Sequence, residues 1–186
     1  MVKVIVCGAC GRMGRRIIDI LNKDTETELV GAIEAKGHNG LGTQVAPEVK
    51  VTDNLEKIID RSEVVIDFTN PQASLENLEV AMRFKKPMVI GTTGHTEEEK
   101  GLIMKKAKTV PLLMAPNMSL GVNLLFRLVE VVARVLKGYD VEIIEAHHNQ
   151  KKDAPSGTAV RLGETISQAL NSNFMETGVY GRKGMI

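Results

Sequence analysis

Short β-branched runs alternating with helical patterns constrain this chain more than any other feature. Val2 to Cys7 is apolar and β-branched, glycines follow, and Met13, Ile17, Ile18 and Leu21 then recur at i, i+4, i+5 and i+8, the spacing of one helix face. Strand patterns return at Glu28 to Glu34, Val49 to Thr52 and Glu63 to Phe68, with amphipathic segments expected between them. Pro71 to Phe84 reads as a helix with Asn70 as N-cap and Pro at its first position. Pro87 leads into the strand Met88-Val89-Ile90, Thr96 and Glu99 have capping-box spacing, and Val110 to Met114 is the next strand. Strands alternating with helices in this way specify a parallel sheet covered on both faces.

After Pro116 the character changes. Ser119 to Leu136 reads as a long helix rich in Leu and Val, Asp140 to Ala146 as a strand, and Ser156 to Leu170 as a further helix. From Asn171 the chain is polar and Gly-rich with a short apolar end. The fold class is therefore α/β, a Rossmann-type parallel sheet domain followed by a smaller α+β domain, with the boundary near residue 118. At 186 residues the chain can bury a core without staples. Lys and Arg number 24 against 23 Asp and Glu, so no global field draws it to nucleic acid or an anionic membrane. Trp is absent and aromatics are scarce, which argues against base stacking. No apolar run approaches the roughly 20 residues that span a bilayer, and the N-terminus enters a strand without a signal-peptide pattern.

The first turn reads Gly8-Ala9-Cys10-Gly11-Arg12-Met13-Gly14, a G-x-x-G-x-x-G. Glycines there permit a tight turn and close approach of backbone N–H groups to a pyrophosphate at a helix N-terminus. Glu34 ends the second strand pattern about twenty residues on, where a carboxylate can accept from adenosine ribose hydroxyls. An acid there favours NADH, while Arg12 and Lys36 could meet the 2′-phosphate of NADPH, so either cofactor is expected. The loops Asp67-Phe68-Thr69-Asn70-Pro71 and Gly91-Thr92-Thr93-Gly94 follow strand ends on the same carboxyl edge. Cys7 and Cys10 are the only cysteines. No second pair completes a zinc site, so no metal is expected, and two reduced thiols are a simpler reading than a Cys-x-x-Cys redox centre.

The stretch from Glu145 to Ala159, with His147, His148, Lys151, Lys152 and Pro155-Ser156-Gly157-Thr158, concentrates charge beside a helix start. The free N–H groups and hydroxyls of that start can hold one carboxylate, and the nearby Lys and His⁺ a second, which fits a small dicarboxylate. Hydride addition to an unsaturated or imine carbon leaves a charge that needs a proton, and His147 or Lys151 could supply it.

Taken together, Gly8 to Gly14, Asp67-Phe68-Thr69, Gly91-Thr92-Thr93-Gly94, Ala115-Pro116-Asn117-Met118-Ser119 with Gly121-Val122-Asn123, and the His147 to Ala159 stretch closely resemble the 4-hydroxy-tetrahydrodipicolinate (dihydrodipicolinate) reductase family. The resemblance runs in order along the chain. It implies NAD(P)H-dependent reduction of a cyclic dicarboxylate imine in lysine and diaminopimelate biosynthesis. It implies His147 as acid/base residue and Lys151 as proton donor, with His148, Gly157 and Thr158, beside Ser156, at the substrate carboxylate. Gly8, Ala9, Cys10, Gly11, Arg12, Met13, Glu34, Gly91, Thr92, Thr93, Ala115, Pro116, Asn117 and Met118 would line the cofactor. Residues 1–118 would form the dinucleotide-binding domain and 119–186 the substrate and oligomerisation domain of a cytoplasmic homotetramer.

Two features depart from that family. An aromatic residue often stands where Met118 is, and members usually continue beyond Ile186, so the second domain is expected to be incomplete with residues 140–146 as an unpaired edge. A catalytically inactive nucleotide-binding or regulatory protein is therefore the alternative. A semialdehyde dehydrogenase would need a nucleophilic Cys near the nicotinamide, whereas both cysteines sit at the phosphate turn.

Overall fold

The computed structural model describes residues 1–149, 151 and 153–185. Gln150 and Lys152 of the His-rich stretch, and the terminal Ile186, lie outside the described residues. Two compact units are present, residues 1–116 and 117–186.

In the first unit, β1 (Val2–Cys7), β2 (Thr27–Ile33), β3 (Gln44–Ala46), β4 (Val49–Thr52), β5 (Val64–Asp67), β6 (Met88–Ile90) and β7 (Leu112–Met114) form one sheet in the order β3-β4-β2-β1-β5-β6-β7. All neighbours are parallel except β3 and β4. The chain leaves β1 towards β2 on one side and later returns to β5 on the other. That reversal opens a crevice at the carboxyl ends of β1 and β5, the place where such sheets take ligands.

Alternation along β1 sends its side chains to opposite faces. Val4 and Val6 join Ile18 and Leu21 of α1 (Arg12–Leu21), whereas Ile5 and Cys7 join Leu78 and Ala81 of α2 (Pro71–Arg83) and Ile103 of α3 (Glu97–Lys106). The sheet is thus covered on both faces, as its continuous apolar strands require. The expected caps are present: Asn70 Oδ1 accepts from Ala73 N at 3.1 Å, and Thr96 and Glu99 form a reciprocal capping box.

The expectation of amphipathic segments between all the early strands fails at two places. Between β2 and β4 the chain makes an antiparallel hairpin through β3, turning at Pro47 and at Glu48, whose φ is 61°. Between β4 and β5 it makes only a 3-10 turn, Ile59–Arg61. In the second connection Leu55 and Ile59 fill the core without a helix.

The second unit contains α4 (Leu120–Val135), α5 (Gly157–Ala169), α6 (Phe174–Thr177) and a two-residue pair of strands, β8 (Asp153–Ala154) and β9 (Gly184–Met185). α4 packs on α5. Gly163 of α5 leaves room for the Phe174 ring, which a Cβ would meet at 2.3 Å, and Phe174 in turn meets Tyr180 edge to face at 5.9 Å. Residues 140–146, expected as a strand, form none. A strand persists only in a hydrogen-bonded ladder, and no described residue supplies one there.

Candidate functional site

The turn after β1 is shaped by backbone sterics. Gly8 has φ +80° and a Cβ there would lie 2.2 Å from Phe68 O, while a Cβ on Gly14 would lie 2.0 Å from Gly8 O. No side chain other than hydrogen fits either place. Gly8 N and Ala9 N both donate to Ile33 O, at 2.9 and 3.0 Å, which ties the turn to the end of β2. Gly11 is the N-cap of α1 and supplies no side-chain acceptor, so the first N–H groups of that helix point their partial positive charge into the crevice.

Glu34 follows β2 as expected, but its oxygens already have partners. Oε2 accepts from Cys10 N and Oε1 from Ala35 N, each at 2.9 Å. Each carboxylate oxygen keeps a second lone pair for a further donor. Burial pushes the Cys7 thiol well up, with Asp67 and Glu34 adding to it, and burial and Glu34 raise Cys10 against the opposing Arg15. Redox dithiols need a thiol that ionises easily, so this pair is unsuited to that chemistry.

On the neighbouring loops, Asp67 is fully buried and accepts from Thr92 Oγ1 at 2.6 Å, Asn77 Nδ2 at 2.9 Å and Thr69 Oγ1 at 3.1 Å. Thr92 Oγ1 also accepts from Thr69 N at 2.8 Å. Thr92 therefore welds two loops together, and its side chain is spent on that task. A Cβ on Gly91 would collide with the Phe68 ring at 2.1 Å. His95, on the same loop, is buried, and neither ring nitrogen has a partner among the described residues. Ala115 N donates to Ile90 O at 3.2 Å. A glycine cradle that a Cβ would fill, an uncapped helix start and an orphaned imidazole together fit a dinucleotide.

In the second unit a cavity of about 1320 Å³ is lined by residues that include Glu145, His147, His148, Lys151 and Pro155. Glu145, which sequence reasoning passed over, is its hub. One oxygen pairs with His147 Nε2 at 2.7 Å and the other accepts from Ser156 N at 2.8 Å. Burial pushes the Glu145 carboxyl up, but hydrogen bonds from Ser156 and His147 outweigh it and bring the group from its ordinary 4.5 down to about 2. The carboxylate holds the imidazole in place and occupies part of the α5 start that was expected for a ligand.

Ser156 Oγ caps its own helix, accepting from Ala159 N at 3.2 Å. Ser156, Gly157 and Thr158 do not line the cavity, although Ala154, Pro155 and Ala159 do. Thr158 Oγ1 instead accepts from Asn117 Nδ2 at 3.4 Å, and Asn117 Oδ1 accepts from Ser119 N at 2.9 Å. Asn123 Nδ2 donates to the Asn117 and Ser119 carbonyls at 3.1 and 2.9 Å. Asn117 and Met118 thus belong to a knitted turn of the second unit, whereas Ala115 and Pro116 belong to the first. Glu145 carries no signal of its own in sequence; only its position two residues before His147 could have pointed to it.

Comparison with known proteins gives the chain its family. The family described as dihydrodipicolinate reductase, N-terminus, matches residues 2–118, and dihydrodipicolinate reductase, C-terminus, matches residues 121–184. The 4-hydroxy-tetrahydrodipicolinate reductases of Geotalea daltonii and Geobacter metallireducens are each 46% identical to the chain over 193 aligned positions, which cover 100% of it and 72% of each relative. The solved dihydrodipicolinate reductase of Paenisporosarcina sp. TG-14, bound to dipicolinate, matches with a TM-score of 0.79 at 30% identity, covering 100% of this chain and 72% of that one. The WlbA dehydrogenase of Thermus thermophilus, in complex with NAD and UDP-GlcNAcA, shares the fold at a TM-score of 0.53 and 14% identity, over 69% of this chain and 47% of that one.

Proposed function

The chain belongs to the dihydrodipicolinate reductase family, and from that membership we propose that it catalyses the NAD(P)H-dependent reduction of 4-hydroxy-tetrahydrodipicolinate to tetrahydrodipicolinate. The observation that carries this reading is the Glu145–His147 pair in a cavity that Lys151 and His148 also line, joined to a Gly8–Gly14 turn fit for a dinucleotide.

The nicotinamide cofactor, NADH or NADPH, supplies the hydride. Gly8, Ala9, Cys10, Gly11, Arg12 and Met13 surround its pyrophosphate. The N–H groups of Gly8, Ala9, Cys10 and Gly11 already donate within the turn and to Ile33 and Glu34, so these four give the cradle its shape. Arg12 and Met13 at the uncapped start of α1 offer the N–H groups. Glu34 accepts from the ribose, Arg12 and Lys36 stand ready for a 2′-phosphate, and Gly91, Thr92, Thr93, Ala115, Pro116, Asn117 and Met118 contribute shape rather than charge. Residues 1–118 carry the cofactor and 119–186 the substrate.

After water is lost from the substrate, hydride and a proton must both reach the imine. His147 acts as acid/base, oriented by Glu145, and Lys151 delivers the proton. His148 binds substrate carboxylate together with the α5 start at Ser156, Gly157 and Thr158. There Glu145 takes the Ser156 N–H, and the N–H groups of Gly157 and Thr158, favoured by the helix dipole, are left for the anion. A cytoplasmic homotetramer remains part of the proposal. Among the described residues no helix is long and apolar enough to cross a membrane.

The test is oxidation of NADH and of NADPH by the purified chain with freshly generated substrate, with light scattering to read association. Turnover with either cofactor is expected. Intact cofactor binding without turnover above background would overturn the reading in favour of an inactive nucleotide-binding protein.

A further inference from the structure

The turn after β1 and the loop after β2 converge at Cys10, Glu34 and His38, where one donor atom from each residue lies within 4.8 Å of the others. Local structure fixes all three. Cys10 follows the Gly8 turn, and its own N–H holds Glu34 Oε2 at 2.9 Å. Gly40 N donates to His38 Nδ1 at 2.9 Å and so anchors the ring on its loop. A Cβ on Gly40 would lie 2.4 Å from Cys10 Sγ and 3.1 Å from His38 Nδ1, so this glycine leaves the space in which thiol and imidazole approach each other.

We propose that Cys10, Glu34 and His38 form a site for a borderline-soft divalent cation, for which Zn²⁺ is the best match. Thiolate, imidazole and carboxylate are the three donor types zinc takes, and the hard cations Mg²⁺ and Ca²⁺ prefer oxygen alone. Three protein ligands leave the fourth tetrahedral position to water. Binding replaces the Cys10 thiol proton, which leaves to solvent. It also costs the Gly40–His38 hydrogen bond, because Nδ1 either coordinates or, if Nε2 coordinates, takes the ring proton and can no longer accept. Arg15 lies close enough to act on Cys10 and opposes the cation, so the expected affinity is moderate. A search for paired cysteines misses this site because its ligands come from a turn and a loop.

The site shares Glu34 with the ribose contact proposed above. Resting on that reading, the metal and the dinucleotide exclude one another, and Zn²⁺ inhibits in competition with the cofactor.

Titration of the tag-free chain with Co²⁺ should give one equivalent with a thiolate-to-cobalt charge-transfer band, displaced by Zn²⁺. Cys10→Ser should abolish the band, and His38→Ala should weaken metal affinity at least tenfold while leaving NADH affinity unchanged. No band in the wild-type chain, or equal affinity in His38→Ala, overturns the site. Saturating NADH should weaken Zn²⁺ affinity at least tenfold, and unchanged affinity overturns the competition. Cofactor titration of Glu34→Gln judges the ribose contact separately: unaltered affinity there overturns that contact, while the cobalt band still decides the metal site.

Discussion

The phosphate turn and the His147 segment are held in place by opposite means. At Gly8, Gly11 and Gly14 the backbone does everything: the turn hangs from Ile33 O, and hydrogen is the only side chain that the surrounding carbonyls tolerate at Gly8 and Gly14. In residues 139–148 no described residue offers a ladder, and the position of His147 depends on one carboxylate, Glu145, anchored at the start of α5. An anion of fixed shape can be met by N–H groups that the fold supplies for free, whereas proton transfer needs side chains, and these must be steered by other side chains. The first region should therefore fail through stability and cofactor binding, and the second through turnover.

The largest effect should come from the second region. His147→Gln is expected to lower turnover about 10²- to 10⁴-fold, the range of a lost general acid, with NADH affinity within about twofold of wild type by fluorescence titration. Equal losses in both would erase the contrast. Gly8→Ala should instead cost about 2–4 kcal/mol in urea unfolding, from a left-handed φ and a collision with Phe68 O together, and should weaken cofactor binding. Gly157→Ala is its control in the second unit, because a Cβ there meets nothing within 4 Å. Its stability should change by no more than about 1 kcal/mol. A Gly8→Ala protein as stable as Gly157→Ala would break the comparison from the other side.

The same difference decides what could be read from sequence. The strand runs of the first unit, the Asn70 cap and the Thr96–Glu99 box depend on neighbours in the chain; the caps recur at the residues expected and the strands with shifts of no more than two residues at their ends. Gly8 and Gly14 were legible because only glycine meets such a constraint. The β3–β4 hairpin was hidden by its brevity, since three residues carry no period, and residues 140–146 show that an alternating pattern does not make a strand without a partner. Glu145 as a hub and Thr92 as a tie between two loops escaped the sequence for one reason. Their roles lie in bonds to Ser156 and Asp67, 11 and 25 residues away, and composition says nothing about such pairings.

Glu145 sharpens the comparison further. Glutamine cannot accept from both His147 and Ser156 N, because one of its two termini is a donor. Glu145→Gln should lower turnover about tenfold, the loss of roughly one charge-assisted hydrogen bond, with cofactor affinity unchanged. The carboxyl is held near 2 in the folded protein, below its unfolded value. Its stabilising contribution is thus complete above about pH 4.5 and is lost as pH falls towards about 2. Urea midpoints of the wild type should drop more steeply between pH 5 and about pH 3 than those of Glu145→Gln. Parallel curves would mean that the carboxylate orients His147 without contributing to the fold.

The smallest expected effect sets one helix cap against another. Asn70 caps α2 through Ala73 N, and Ser156 caps α5 through Ala159 N, by the same kind of bond. Replacing either by Ala should cost about 1 kcal/mol of stability. Asn70 sits at the cofactor edge, on a helix whose start is followed by buried packing at Ser74 and Leu78, so Asn70→Ala should leave KM for the substrate unchanged. Ser156 also presents its N–H to Glu145, and its helix start is the proposed carboxylate clamp. Ser156→Ala keeps that N–H but loosens the turn that aims it, so KM should rise severalfold with turnover nearly constant. If both variants change stability alone, the α5 start is only a helix cap, and the substrate carboxylate must be held by His148 and Lys151 without it.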